Sequence, residues 1–276
     1  MSEKLIVGID LGASITKAVV LEKSQIIGVK SIRTLDTSDS AQTILRETLL
    51  SIGRGYEDVK RIAISGGGAR PIGDTLLGLP VTKVDEIKAI GLGGLTLSGK
   101  QQALIVSMGT GTALVVASEK GKKTKHIGGT GVGGGTIEGL SRWMLGTSKF
   151  EAIEEMANRG NTSNVDLKVA EIAGGPVGTV PGDATASNFG RLNVNADKND
   201  IAADNQNIVS QVVEVITAMA AKAYHLEEDV VLVGKLVQSR RMAELMYEVA
   251  KIFQMKICIP KDGEYCVAIG AARSMI

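Results

Sequence analysis

A strand that breaks on glycine and resumes at once occurs twice in this chain, and that repeat constrains the fold more than any other feature. LIVGID (residues 5–10) is an apolar run ending in a glycine turn, and a second run, Lys17 to Glu22, follows closely. Further on, QALIVS (residues 102–107, read with its first glutamine) runs into Gly109 and Gly111, and TALVVA (residues 112–117) follows. Runs this close pair antiparallel across a tight turn, and glycine permits the backbone such a turn needs. Ile26 to Ile32 supplies a third strand to the first unit. Two units in this order imply an α/β chain of two lobes, each opened by strand, turn, strand. We place the boundary near Ser98-Gly99. That gives an N-terminal lobe over 1–98 and a C-terminal lobe over 99–276, with the terminal helix packing back on the first lobe.

The remaining pattern fits this division. Ser40 to Ser51 has apolar residues at helical spacing, Arg61 to Ser65 is a strand closing on Gly66-Gly67-Gly68, and Val84 to Leu92 is a helix starting near Asp85. Ile208 to Leu226 carries an apolar stripe at Ile208, Val212, Val215, Met219 and Ala223. Met219, Met242 and Met246 are expected to be packing residues on helical stripes. Val230 to Val233 is a strand of the buried type. Arg240 to Phe253 is amphipathic, with Ser239 as N-cap. Lys256 to Ile259 and Val267 to Met275 make a last strand and a last helix, and Gly174 to Arg191 is rich in loop residues.

Composition narrows the function. With 31 Lys+Arg against 30 Asp+Glu the chain is nearly neutral, unlike a nucleic-acid or membrane-surface binder. No apolar run reaches the roughly 18 residues of a spanning helix, and MSEKLIVGID enters a strand without a leader pattern. Cys258 and Cys266 cannot staple a chain of 276 residues. A cytoplasmic protein without nucleic-acid or membrane partners is expected.

Three glycine segments and one acidic residue can carry chemistry. In GIDLGASITK (residues 8–17) a strand delivers Asp10 to its end, Gly12 turns the chain, and Ser14 and Thr16 add hydroxyls. Amides in such a turn can wrap phosphate oxygens, and the Asp10 carboxylate suits a hydrated Mg²⁺ bridging to phosphates. Taken alone, the segment is equally a polar hairpin. SMGTGT (residues 107–112) repeats the device in the second lobe, so two turns would grip a polyphosphate across a cleft. GGTGVGGGTIEG (residues 128–139) opens an apparent helix, whose N-terminus would be aimed at phosphate. Glu86 near a helix start is equally a dipole-favoured acid or a general base for a hydroxyl attacking ATP. The histidines, His126 and His225, have no metal-like partners in sequence, and the two cysteines read as small core residues.

Together these segments resemble the type II pantothenate kinases of the acetate/sugar kinase, heat-shock ATPase and actin superfamily. GIDLGASITK looks like that family's first phosphate segment, VDEIKAIGLGG its catalytic-glutamate segment, and SMGTGTALV its second phosphate segment. HIGGTGVGGGTIEGL, VDLKVAEIAG (Val165 to Gly174), PGDATASNFGRL (Pro181 to Leu192) and EYCVAIGAA (Glu264 to Ala272) resemble four further segments. The resemblance spans nearly the whole chain and implies the two-lobed actin/hexokinase-like fold, a ribonuclease H-like duplication with ATP in the interlobe cleft. It implies ATP-dependent phosphorylation of pantothenate to 4′-phosphopantothenate, with Mg²⁺, in a cytoplasmic homodimer. It makes Glu86 the base and Asp10 the Mg²⁺ organiser. It lays Gly12, Ala13, Ser14, Ile15, Thr16 and Lys17, continuing into Ala18 and Val19, along the phosphates. Thr110, Thr112, Gly134, Gly135, Thr136, Ile137 and Glu138 contact the nucleotide, with Phe150 beside the base and Lys235 in the adenosine loop. His126 falls at a substrate-binding position.

The chain departs from the family pattern at three places. His126 replaces an arginine that helps hold the substrate. Leu11 and Ala13 alter an AGG turn, and VGKLVQS (Val233 to Ser239) puts Lys235 and Leu236 where small residues are usual. Alternatives remain: a kinase for another small hydroxyl metabolite, or an activator ATPase of the superfamily. The activator would need cysteine ligands for an iron–sulfur cluster near the glycine-rich helix, whereas Cys258 and Cys266 lie far along the chain.

Overall fold

In the computed structural model, residues 4–191 and 195–276 are described; Leu192, which ends PGDATASNFGRL, lies outside them. β1 (Leu5–Leu11), β2 (Ile15–Glu22) and β3 (Gln25–Arg33) form an antiparallel meander, α1 (Thr37–Ser51) follows, and β4 (Val59–Ser65) then pairs parallel with β1. β5 (Thr75–Leu76) and β6 (Leu79–Lys83) complete a sheet of order β3-β2-β1-β4-β6-β5. After α2 (Glu86–Ser98), β7 (Gln102–Met108), β8 (Thr112–Ser118) and β9 (Lys123–Thr130) make a second antiparallel meander. Next come α3 (Gly134–Leu145), α4 (Phe150–Ala157), β10 (Leu167–Lys168), α5 (Val169–Ala173), β11 (Thr185–Ser187) and α6 (Lys198–Tyr224). β12 (Val230–Val233) pairs parallel with β7; α7 (Arg240–Ile252), β13 (Ile257–Cys258) and α8 (Cys266–Arg273) finish the chain. The second sheet has order β13-β12-β7-β8-β9. Each sheet is therefore a three-stranded meander extended by two parallel strands on the side of its first strand, with the short β5 added antiparallel at the edge of the first sheet; this is the duplicated α/β architecture expected.

Local chemistry sets the element ends. Asp36 caps α1 by accepting from the amides of Ser38 and Asp39, and Asp85 caps α2 by accepting from the Lys88 amide. Ser239 accepts from the Met242 amide at the start of α7. Met242 and Met246 are buried on that helix.

Helices α2 and α8 pack face to face between the sheets. α8 also lies on β1, β2 and β4, whereas α2 also lies on β7 and β8. Their approach depends on glycine. A Cβ at Gly93 would sit 2.0 Å from the Cys266 carbonyl oxygen, and one at Gly270 would sit 1.9 Å from that of Ala89. Backbone-to-backbone contact at this crossing holds the two lobes at a fixed spacing.

On α6 the apolar stripe divides: Ile208 packs against the core of the second lobe, whereas further along Val215 is 36% and Met219 67% exposed. Met219 is therefore not a packing residue within this chain. The inward face buries Val209 and Val213, but also Gln206, Ser210, Glu214 and Thr217. The period was legible and the phase was not, because polar residues took the buried side. Next to this stretch, Asp166 accepts from the Thr185 hydroxyl, the Phe189 amide and the Asn207 side chain, tying the β10–β11 region to α6.

Candidate active site

The two glycine turns meet. Ser14 of the β1–β2 turn and Thr110 of the β7–β8 turn bring their hydroxyls within 3.4 Å across a cleft of about 500 Å³. Each turn is braced from behind. Thr34 donates its hydroxyl to the Gly12 carbonyl at 2.9 Å and its amide to the Ser14 carbonyl at 3.0 Å. Thr112 donates to the Val132 carbonyl at 2.8 Å. With its carbonyls held, the first turn presents its amide side to the cleft, where a phosphate would sit.

Asp10, Gly12, Ala13, Ser14, Ile15, Lys17 and Glu86 line one side; Thr110, Thr112, Gly134, Gly135, Glu138, Phe150 and Lys235 line the other. Asp10 and Lys17 are register partners on β1 and β2. Burial pushes the Asp10 carboxyl up to about 6, opposed by Lys17 and reinforced by Glu86, so it is ionised at neutral pH. Partial burial, then the neighbouring charge of Asp85, raises the Glu86 carboxyl above its ordinary value. A general base gains from that direction of shift, because its proton affinity moves toward working pH.

Six predicted contact residues are not on the cleft lining. Thr16 is buried and turned to Thr34, with hydroxyls 2.9 Å apart. Ala18 and Val19 are buried deeper along β2, and Ile137 is buried in the core of the second lobe. Thr136 uses its hydroxyl to brace the turn before α3, accepting from the Gly133 amide and donating to the Gly131 carbonyl. His126 is solvent-exposed on β9. The glycine run itself serves close packing: the amides of Gly134 and Gly135 donate to the Gly109 and Thr110 carbonyls, each at 2.9 Å. Those of Thr136 and Ile137 return to Gly133. The first-turn donors of α3 are thus spent inside the protein, and its N-terminus offers a dipole more than free amides.

Sequence reading passed over several lining residues: Gly67, Gly234, Glu264 and Cys266. Gly234 has a φ of +106°, and a Cβ there would lie 2.2 Å from the Met108 carbonyl oxygen, so glycine is required for β12 to pass behind the second turn. Cys266, expected in the core, is buried yet borders the cleft; burial and then Asp10 push its thiol up, so it stays protonated. The glycine after a buried strand was the available signal for Gly234. Glu264 and Cys266 carried only their place in the EYCVAIGAA segment at the last helix.

Known proteins fit this arrangement. The Type II pantothenate kinase of Bacillus anthracis is 25% identical over 274 residues, covering 96% of this chain and 95% of that one. The Staphylococcus aureus (strain USA300) enzyme of the same name is 28% identical, covering 96% and 97%. Among solved structures, component A of the (R)-2-hydroxyglutaryl-CoA dehydratase of Acidaminococcus fermentans superposes with a TM-score of 0.71 at 17% identity, covering 98% of this chain and 96% of that one. The ROK hexokinase of Thermus thermophilus gives 0.56 at 14%, covering 98% of both. These structural likenesses establish the two-lobed actin/hexokinase-like fold. The sequence profile named Fumble matches residues 100–273, well over half of the chain. On that match the chain belongs to the Fumble family and groups with its type II pantothenate kinases.

Proposed function

We propose that this protein is an ATP-dependent kinase that phosphorylates pantothenate to 4′-phosphopantothenate, the first step of coenzyme A biosynthesis. The observation that carries the reading is the meeting of the two glycine turns over Asp10, Lys17 and Glu86. A polyphosphate held between the turns has Lys17 beside it as a fixed cation, and the acceptor hydroxyl approaches from the Glu86 side. Glu86 takes the hydroxyl proton as the acceptor oxygen bonds to the γ-phosphorus and the bond to the bridging oxygen breaks, leaving ADP. Phe150 and Leu236 offer the adenine an apolar surface in the cleft lining, which Lys235 joins.

Mg²⁺ fits the residues present. Asp10 brings an ionised carboxylate into the cleft, and beside it on β4 Ser65 keeps a buried hydroxyl without a partner among the described residues. Asp10 would hold the ion, which neutralises phosphate charge when bound. Incubation with Mg-ATP and pantothenate, read by mass for the phosphorylated product, tests the acceptor. Replacing Asp10→Asn should remove most turnover while leaving the fold intact; full activity in that variant would remove Asp10 from the metal role.

The same reading includes a homodimer. Val215 and Met219 leave an apolar stripe on α6 open to solvent, a surface that a second copy would cover. Sedimentation of Met219→Glu should give monomers where the unaltered chain gives dimers.

A further inference from the structure

Ser65 ends β4 directly opposite Asp10 in the parallel pairing of β4 with β1. Residues in register on strands about 4.8 Å apart direct their side chains to the same face. Lys17 is the partner of Asp10 on the other flank. Lys17, Asp10 and Ser65 therefore form a row across three neighbouring strands. The face is the one α8 covers, because two residues before Asp10 a Cβ at Gly8 would lie 2.0 Å from the Ala268 carbonyl oxygen.

Ser65 is fully buried, and its hydroxyl has no hydrogen-bond partner among the described residues. Buried hydroxyls are normally paired, because an unpaired one forfeits its hydration without return. If Ser65 were there for packing alone, alanine would serve better in so small a space. The loop after it is built around the same carboxylate. Gly66 has a φ of +94°, and a Cβ there would sit 2.6 Å from Oδ1 of Asp10 and 2.7 Å from the Leu11 carbonyl oxygen. Asp10 is thus enclosed by Lys17 from β2, Glu86 from α2, Cys266 from α8 and the Ser65-Gly66 corner from β4.

We propose that Ser65 is a positioning residue for the phosphoryl-transfer site: its hydroxyl, which makes no hydrogen bond among the described residues, turns to donate to the neighbouring Asp10 carboxylate when the Mg²⁺–nucleotide complex binds, and so fixes which oxygen faces the ion. Ser65 does not line the cleft, so it acts through Asp10 and touches neither nucleotide nor acceptor. The inference rests on the reading of Asp10 as the Mg²⁺ anchor. A carboxylate free to rotate presents the ion with a changing geometry, whereas Mg²⁺ demands a nearly ideal one. A hydrogen bond to a charged group is among the stronger kinds, so its loss should be measurable.

The test is calorimetric binding of a non-hydrolysable ATP analogue, with Mg²⁺ and with EDTA, to the unaltered chain, Ser65→Ala and Ser65→Thr. The unaltered chain should bind the Mg²⁺ complex more tightly than the metal-free analogue. Ser65→Ala should lose about tenfold of that gain with unchanged metal-free affinity, and kcat should fall by a similar factor at constant acceptor KM. Ser65→Thr, which keeps the hydroxyl, should restore the gain. A Ser65→Ala protein that keeps the full Mg²⁺-dependent gain overturns the inference and leaves the Asp10 reading standing. So does a threonine variant that binds as poorly as the alanine one, because volume and not the hydroxyl would then decide. An unaltered chain with no gain from Mg²⁺ removes the metal role of Asp10 and, with it, that of Ser65.

Discussion

The two walls of the cleft are built on the same strand–turn–strand plan and carry different tasks. The first wall concentrates charge: Asp10 at the end of β1, Lys17 opposite it on β2, and Glu86 at the start of α2. Its turn is held by its carbonyls, through Thr34. The second wall, at its turn, is shape. Gly109, Thr110, Gly111 and Thr112 are uncharged, and the amides of Gly134 and Gly135 are spent in docking α3 onto that turn. The two turns thus differ in what stands beside them: charged side chains cluster at the first, and close backbone packing backs the second, where Glu138 and Lys235 bring charge to the cleft only away from the turn.

Substitutions on the two walls should therefore fail in different ways. On the charged wall, Glu86→Gln should lower kcat by roughly 10²-fold or more, the scale of a general base, with ATP affinity retained. Steady-state kinetics beside nucleotide binding separate the cases: a collapse of ATP affinity would make Glu86 a structural helix-start acid. On the shaped wall the order reverses. A Cβ at Gly133 would lie 2.8 Å from the Thr110 carbonyl oxygen and 2.9 Å from the backbone of Gly111. Gly133→Ala should push α3 off the turn and weaken ATP binding by about tenfold, with kcat changed less. Equal loss of kcat and affinity in both variants would erase the distinction between the walls.

A second contrast lies deeper in the same lobes. The α2–α8 crossing is closed by glycine and alanine, whereas the buried face of α6 keeps Gln206, Ser210, Glu214 and Thr217 with side-chain atoms that have no partner among the described residues. Burial pushes the Glu214 carboxyl up from an ordinary 4.5 to about 8. The folded chain therefore holds a proton that the unfolded chain releases between those values. Its contribution to stability is full below about pH 4.5, declines through that window, and is gone above about pH 8. Glu214→Gln should remove this slope. Thermal unfolding of both proteins from pH 5 to 8 should show the variant gaining on the parent as pH rises, by several degrees at this chain length. Parallel curves would mean that Glu214 is already ionised in the folded protein.

Legibility in the sequence followed the same division. Asp10, Gly12, Lys17 and Glu86 could be found because strand ends, glycine turns and helix starts are local patterns, and the fold follows from their order. The facing direction of α6 could not be read: amphipathicity gives a period, but Val215 and Met219 lie outward because residues distant in sequence bury the polar side instead. Ile137 and Thr136 were misplaced for a related reason. A glycine-rich helix start looks alike whether its amides are free for a phosphate or, as here, tied to Gly109 and Thr110. Cys266 and Gly234 reach the cleft only through the packing of both sheets.

His126 gives the smallest expected effect and the finest test of the comparison between the walls. On a regular ladder the pairing Leu114↔Gly128 would continue so that Val116 met His126, placing His126 on the face toward α6. Instead the register slips between Leu114 and Val115, and Val115 pairs with His126. A one-residue slip moves a side chain to the opposite face of the sheet. His126 thus shares a face with Ala113 and Val115, the face on which α2 packs, and Ala113 lines the cleft. A Cβ at Gly91 would lie 2.4 Å from Cγ2 of Thr124, so α2 lies close against β9. The bulge leaves His126 exposed on that face and off the cleft lining. On the proposed reading it would meet the acceptor, at a position where the family pattern has an arginine. An arginine fork can hold a carboxylate through two parallel bonds, and an imidazole offers fewer donors at shorter reach. His126→Arg should lower the KM for pantothenate by a few-fold and leave kcat and ATP affinity unchanged. Should KM stay constant, the acceptor carboxylate is held elsewhere. Should the variant lose pantothenate turnover and keep activity on another hydroxyl compound, the acceptor assignment falls while the charged wall keeps its role.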